Sequence, residues 1–233
     1  MAVGQEAKLV GVTLNDNYPP SVAQLPKVGD QTIDFERLLA LEPDLVVLDS
    51  NFNRDRRKLE ELGIRVYELQ CDRLSEIVPA MRELAETLGE PEAGERAVME
   101  FQGLLEAVKP VKRSQRVFVE VWGEPLMTAG DDTLLNDILD RVHLENCYRD
   151  QKGYFQIDPE DLVKRRPEIV LLPLTGGSPS TDAGALKWAK RVGWKPKVVE
   201  IESDLLVRAG PRVIEAMVQL TEALEGVPSS RSQ

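Results

Sequence analysis

Histidine is almost absent from this chain: His143 is the only one among 233 residues. A zinc site built on several histidines is therefore excluded. The helical run that carries it, "LLNDILDRVH", gives it a structural or surface role. Cysteine is nearly as scarce. Cys71 and Cys147 make no disulfide framework, and their spacing matches no zinc motif, so no metal site is expected. The sequence has no G-x-G-x-x-G, no P-loop and no G-x-S-x-G, which removes the dinucleotide, phosphate-loop and hydrolase signatures. The glycines of "TGGSPS" lack phosphate-loop spacing and read as a tight turn. No apolar run approaches the roughly 18 residues of a membrane span. Basic residues are in deficit, 29 Lys and Arg against 40 Asp and Glu, for a net charge of -11. That balance argues against nucleic acid or an anionic membrane as partner. The opening "MAVGQEAKLV" has neither a basic n-region nor an apolar h-region, so no signal peptide is expected within it. Carboxylates abound, but no pair stands out as acid and base. No catalytic residue and no catalytic cofactor is nominated.

What is present is a repeat. With 42% hydrophobic and 30% charged residues, the composition is that of a soluble protein of one large domain or two small ones. "IDFERLLALEPDLVVL" at 33–48 returns without a gap as "IDPEDLVKRRPEIVLL" at 157–172. In each copy an Asp (Asp34, Asp158) stands where it can cap a short helix, and a proline (Pro43, Pro167) marks that helix's end. The runs that follow, "DLVVLDS" and "EIVLLPL", are continuously apolar, as parallel strands covered on both faces are. An amphipathic helix closed by Gly63 or Gly193 comes next, and then a second strand, "IRVYEL" or "KVVEI". Helix–strand alternation of this kind specifies an α/β fold with parallel strands and right-handed crossovers. Two copies specify two lobes.

Between the copies, "PEAGERAVMEFQGLLEAVKP" places Ala97, Val98, Phe101, Leu104, Leu105 and Val108 at helical spacing. It reads either as another flanking helix or as a strut between lobes. The expected organisation is an N-terminal α/β lobe over 1–89, an interlobe helix over 90–112 and a C-terminal lobe over 113–233. Ahead of its repeat the second lobe carries a strand, "RVFVEVW", and a helix, "DDTLLNDILDRVH", leading into "LENCY". The first lobe has only "EAKLVGVT" there, so it is expected to lack its first strand and most of one helix.

In open parallel sheets ligands bind beyond the carboxyl ends of the strands, and clefts between domains are preferred pockets. The segments at those ends are "NDNYPP", "DSNFN", "WGEP", "TGG" and "SDLLVRAGPR", with "KGYFQ" read as a loop before the second repeat. Of five Phe, four Tyr and three Trp, Tyr18, Phe52, Trp122, Tyr154 and Phe155 all fall in these segments. With Asn17, Gln156, Gly176, Gly177 and Arg208 they form the candidate ligand-binding set.

The stretches "LVGVTLNDNYPP", "LPKVGDQTIDFERLLALEPDLVVL", "LEELGIRVY", "MTAGDDTLLNDIL", "IDPEDLVKRRPEIVLL" and "LLVRAGPRVIEAMVQL" together resemble the substrate-binding proteins of ATP-driven (ABC) importers for cobalamin, haem and iron-siderophores. The likeness runs nearly end to end. It implies two α/β lobes joined by one long helix, a ligand held between them, and a protein that is a binder and not an enzyme. "VFVEVWGEPLMTAG" and "DLLVRAGPR" point to cobalamin or a related corrinoid, with an iron-siderophore second and haem third, Tyr18 or Tyr154 then serving as axial ligand. The resemblance further implies a permease–ATPase partner met by one acidic residue on each lobe, for which Asp55 and Asp182 stand at nearly equivalent places. It also implies a monomer, and a periplasmic or surface-anchored location for the native full-length form. A non-transport carrier, or an enzyme subunit on a related fold, is the alternative. "LENCY" departs from the family's usual Gly-Glu-Asn turn.

Overall fold

The computed structural model describes residues 6–50, 55–175, 178–179 and 184–226. The chain divides into two compact units, Met1–Gln70 with Val78–Glu100, and Cys71–Ile77 with Phe101–Gln233.

The first unit begins with a 3-10 turn, Glu6–Lys8, and a second one at Pro20–Gln24. It continues through α1 (Phe35–Ala40), β1 (Leu45–Asp49), α2 (Arg56–Glu61), β2 (Arg65–Leu69), α3 (Ile77–Thr87) and the start of α4 (Pro91–Ala107). Asp34 caps α1 as its position suggests, accepting from the Arg37 N–H at 3.1 Å. Gly63, with φ +78°, ends α2's turn in the left-handed conformation that glycine takes without strain. β1 and β2 are parallel, Leu45 opposite Arg65. Val28, Leu38, Leu59 and Ile64 form the core beneath them, with Phe35, Val46, Leu48 and Val66 packed against it.

The second unit contains β3 (Arg116–Val119), β4 (Trp122–Gly123), β5 (Leu126–Ala129), α5 (Leu134–Arg141), β6 (Glu145–Asn146) and β7 (Tyr154–Gln156). After these come α6 (Pro159–Arg165), β8 (Ile169–Thr175), β9 (Ser178–Pro179), α7 (Gly184–Val192), β10 (Lys197–Glu202), α8 (Ser203–Val207) and α9 (Val213–Glu225). Its main sheet has the parallel order β10–β8–β3–β6, with β9 antiparallel on β8. Val117, Phe118, Val119 and Ile169, Val170, Leu171 are fully buried, as apolar runs flanked by helices require. Residues 71–77 belong here because Arg73 grips α5. Its guanidinium donates to Asp137 at 2.8 and 2.5 Å, and the Leu74 N–H adds a bond of 3.0 Å to the same carboxylate.

The repeat extends to strand register: in β8–β10 Ile169 lies opposite Lys197, as Leu45 lies opposite Arg65. One expectation needs correcting. "KGYFQ" is not a loop, since Tyr154–Gln156 is a strand of a small antiparallel sheet of order β4–β5–β7. The segment after β10 opens with a short helix, α8. Strands of two to four residues are too short to show a period, so alternation could not betray them.

Candidate functional site

The small sheet sorts the candidate aromatics by strand alternation. Across it Trp122 pairs with Met127 and Met127 with Gln156, while Ala129 pairs with Tyr154. Side chains two apart on a strand share a face. Trp122, Met127, Ala129, Gln156 and Tyr154 therefore stand on one face, and Leu126, Thr128 and Phe155 on the other. Burial follows this division except at Ala129, which is fully buried. Trp122 is 50% exposed and Tyr154 52%, while Leu126 is 6% and Thr128 fully buried. Phe155 is turned inward, its ring edge-on to Tyr148 at 5.8 Å within the core cluster. The outward face is thus an apolar row edged by one amide.

Several bonds hold that face still. The Trp122 indole N–H donates to the Glu124 carbonyl at 2.8 Å, tying the ring to its own turn. Below the sheet, the Thr128 hydroxyl donates to the Val119 carbonyl at 2.8 Å. The Asn146 amide donates to the Ala129 carbonyl at 2.9 Å and accepts from the Tyr148 N–H at 3.0 Å, joining β6 to β5. Glu120, fully buried at the end of β3, accepts from the Gly184 and Ala185 N–H groups at 2.9 and 2.7 Å. A carboxylate there meets both the unpaired donors and the positive end of α7. Gly184 itself leaves no room for a side chain, because a Cβ would lie 2.2 Å from the Gly123 carbonyl oxygen. β4 and the start of α7 are thereby locked together.

The turn before β7 is secured by Arg165. Its guanidinium donates to Asp150 at 2.6 and 2.9 Å, to Asp161 at 2.8 Å and to the Cys147 carbonyl at 2.6 Å. It also lies 4.2 Å from the centre of the Tyr148 ring. This arginine holds the Asp150 and Asp161 carboxyls below the usual carboxylate range. Burial pushes the Cys147 thiol up to about 12. It also raises the Tyr148 phenol, with the Asp161 carboxylate adding to the effect. Desolvation, then the charge of Asp72, keeps the Tyr154 phenol above its ordinary value.

The remaining candidates are placed as follows. Arg208, after α8, pairs with Asp204 at 3.0 Å and is partly exposed. Asn17 and Tyr18 lie in the first unit, on the loop before Pro20–Gln24, with Tyr18 51% exposed. Asp55 stands at the start of α2, where it accepts from the Ile33 N–H at 3.5 Å. The arginines after it are engaged elsewhere, Arg56 with Glu60 and Glu68, Arg57 with Glu61. Phe52, Gly176, Gly177 and Asp182 fall outside the described residues. Among the described residues no three His, Cys, Asp or Glu side chains gather as metal ligands would.

A family model described as periplasmic binding protein matches residues 1–186. The chain belongs to that family. An ABC transporter substrate-binding lipoprotein of Bacillus subtilis, YvrC, is 30% identical over 96% of this chain and 75% of its own length. A vitamin B12-binding protein of Pectobacterium carotovorum is 29% identical over 99% of this chain and 86% of its own. In fold, the haem-binding protein RhuT of Roseiflexus superposes with a TM-score of 0.82 at 21% identity, covering 98% of this chain and 94% of that one. The two-lobed α/β architecture expected from the repeat is that of these relatives.

For this periplasmic binding protein, sequence reasoning missed Glu120 and Asn146. A lone acid closing the apolar run "RVFVEV" was a signal for the first, because an acid on a central strand requires buried donors. Asn146 left no such mark.

Proposed function

We propose that this periplasmic binding protein is the substrate-binding component of an ABC importer and that its solute is a cobalamin or related corrinoid. The observation that carries the reading is the fixed outward row of Trp122, Met127, Gln156 and Tyr154, supported by the vitamin B12-binding relatives. A corrinoid presents a broad apolar macrocycle fringed with amide arms. Flat half-exposed rings suit the macrocycle, and the Gln156 amide suits an arm. Covering about 400 Å² of apolar surface at about 25 cal/mol/Å² contributes roughly 10 kcal/mol before the cost of association. A siderophore of several negative charges wants free cations, whereas Arg208 already pairs with Asp204. Asp55 and Asp182 are the proposed contacts to the permease, and the site of action is outside the cytoplasm.

Calorimetric titration with cyanocobalamin tests this. Saturable one-to-one binding in the nanomolar to micromolar range is expected. No heat from a folded sample, with haemin or a ferric siderophore binding in its place, would overturn the corrinoid assignment and leave the importer role standing.

A further inference from the structure

The cations of this acidic chain are unevenly spread. Residues 183–199, "AGALKWAKRVGWKPKVV", hold five of them, Lys187, Lys190, Arg191, Lys195 and Lys197, and no acid. They lie on α7 and on the turn and strand start that follow it. On the helix, Lys187, Lys190 and Arg191 stand three and four residues apart and so share one side. That side is exposed, whereas Gly184, Ala185 and Ala189 are buried. The end of α6 adjoins this stretch. The Trp194 indole N–H donates to the Pro167 carbonyl at 3.1 Å, and the Lys197 N–H to the Glu168 carbonyl at 2.8 Å. These bonds bring exposed Arg166 to the same end of the second unit.

Cations in the last turn of a helix complement its dipole, and Lys190 and Arg191 serve α7 in that way. That effect falls off within the turn, whereas the basic run continues to Lys195 and Lys197, beyond Val192 where α7 ends. Nor do carboxylates neutralise it. Among the described residues none pairs with Lys190, Arg191, Lys195 or Arg166. Glu168 is taken by Arg113 at 2.8 Å. Arg191 lies over the Trp188 ring, 4.9 Å from its centre, and Val192, next in sequence, is 45% exposed. The net charge of -11 argues against an anionic surface for the chain taken whole. Within the patch the sign is reversed, and exposed charges more than about 8 Å away are largely screened at physiological ionic strength.

We infer that this end of the second unit is a docking surface for an anionic phospholipid bilayer. Lys190, Arg191, Lys195 and Arg166 meet lipid phosphates, and Trp188 with Val192 supply the apolar and aromatic element that favours the headgroup region. Flexible cations spread over two helix ends suit a diffuse layer of phosphates better than a single anion. The inference rests on the proposed importer role only for the nearness of the membrane. Asp182, a proposed permease contact, precedes α7 by two residues, so docking on the permease carries α7 to the bilayer. The contact keeps the protein at the membrane face and raises its concentration around the permease.

The test is co-sedimentation of the protein with vesicles of phosphatidylcholine, alone or with about one-third phosphatidylglycerol. Binding to the anionic vesicles only is expected at about 0.1 M salt, with loss at about 1 M, where the screening length falls from about 10 to about 3 Å. Each cation near such a surface raises partitioning about fivefold, so Lys190→Gln together with Lys195→Gln should weaken it about 25-fold. Both side chains are exposed, so this double variant should melt as the parent does. Equal binding to neutral vesicles, no binding to anionic ones, or a double variant that binds as the parent does would overturn the inference. So would duplex DNA that binds as tightly as the vesicles and loses as much in the variant, which would make the patch a site for polyanions at large. Titration of the same samples with cyanocobalamin is scored apart. Failure there with vesicle binding intact strikes the proposed solute and leaves the docking surface standing.

Discussion

Removing the Glu120 carboxylate should loosen the end of the second unit that carries the candidate face. The side chain is fully buried and meets two donors in the first turn of α7, at 2.9 and 2.7 Å. Hydrogen bonds to a charged group contribute about 1.5–3 kcal/mol each, net of desolvation, so Glu120→Ala removes about 3–6 kcal/mol. Water entering the vacated space satisfies part of the loss, which brings the expected cost to about 3 kcal/mol. For a chain of this size each kcal/mol moves the melting temperature by about 2–4 °C, so the drop should be roughly 6–12 °C. Glu120→Gln keeps one acceptor and should lose about half as much. Thermal unfolding followed by circular dichroism measures the drop, and amide exchange at Gly184 and Ala185 locates it. If Glu120→Ala melts within 1–2 °C of the parent and those two amides keep their protection, the carboxylate is not what holds α7, and the reasoning fails.

Three further outcomes follow from the same geometry. Trp122→Ala and Tyr154→Ala should each weaken corrinoid binding about tenfold or more with little change in melting temperature, because both rings are half exposed. Phe155→Ala should instead cost about 2–4 kcal/mol of stability, a contrast that binding and melting curves on the three variants would expose. The Cys147 thiol, buried and raised to about 12, should resist alkylation at pH 8 in the native protein while partly exposed Cys71 reacts, and both should react in denaturant. Mass spectrometry of the labelled peptides reads this directly. Asp150 and Asp161 are held below their usual range by Arg165. Their contribution is therefore complete above about pH 4, the unfolded carboxylate value, and is lost as pH falls through their lower folded values. Arg165→Leu should flatten that acid limb in melting curves taken from pH 6 to pH 2, and an unchanged limb would contradict the assignment.

Much of this architecture lay in the sequence because it is local. Asp34 and Asp158 cap helices by bonds to the Arg37 and Glu160 N–H groups, two or three residues away. "DLVVL" and "EIVLL" are strands because four or more consecutive apolar residues need cover on both faces. The duplicated order of helix and strand then fixed the two-unit α/β plan, down to a shared register. The candidate face was legible only as a set of aromatics near strand ends. Which of them point outward was decided by pairing within the small sheet, where a step of one residue sends Tyr154 to solvent and Phe155 onto Tyr148. Glu120 finds its partners 64 and 65 residues further along the chain, a distance over which no pattern in sequence reports. Hydrophobic periodicity and capping act within a few residues and can be read in order. The direction of a side chain on a short strand, and the donors that a buried carboxylate meets, exist only once distant segments are packed together.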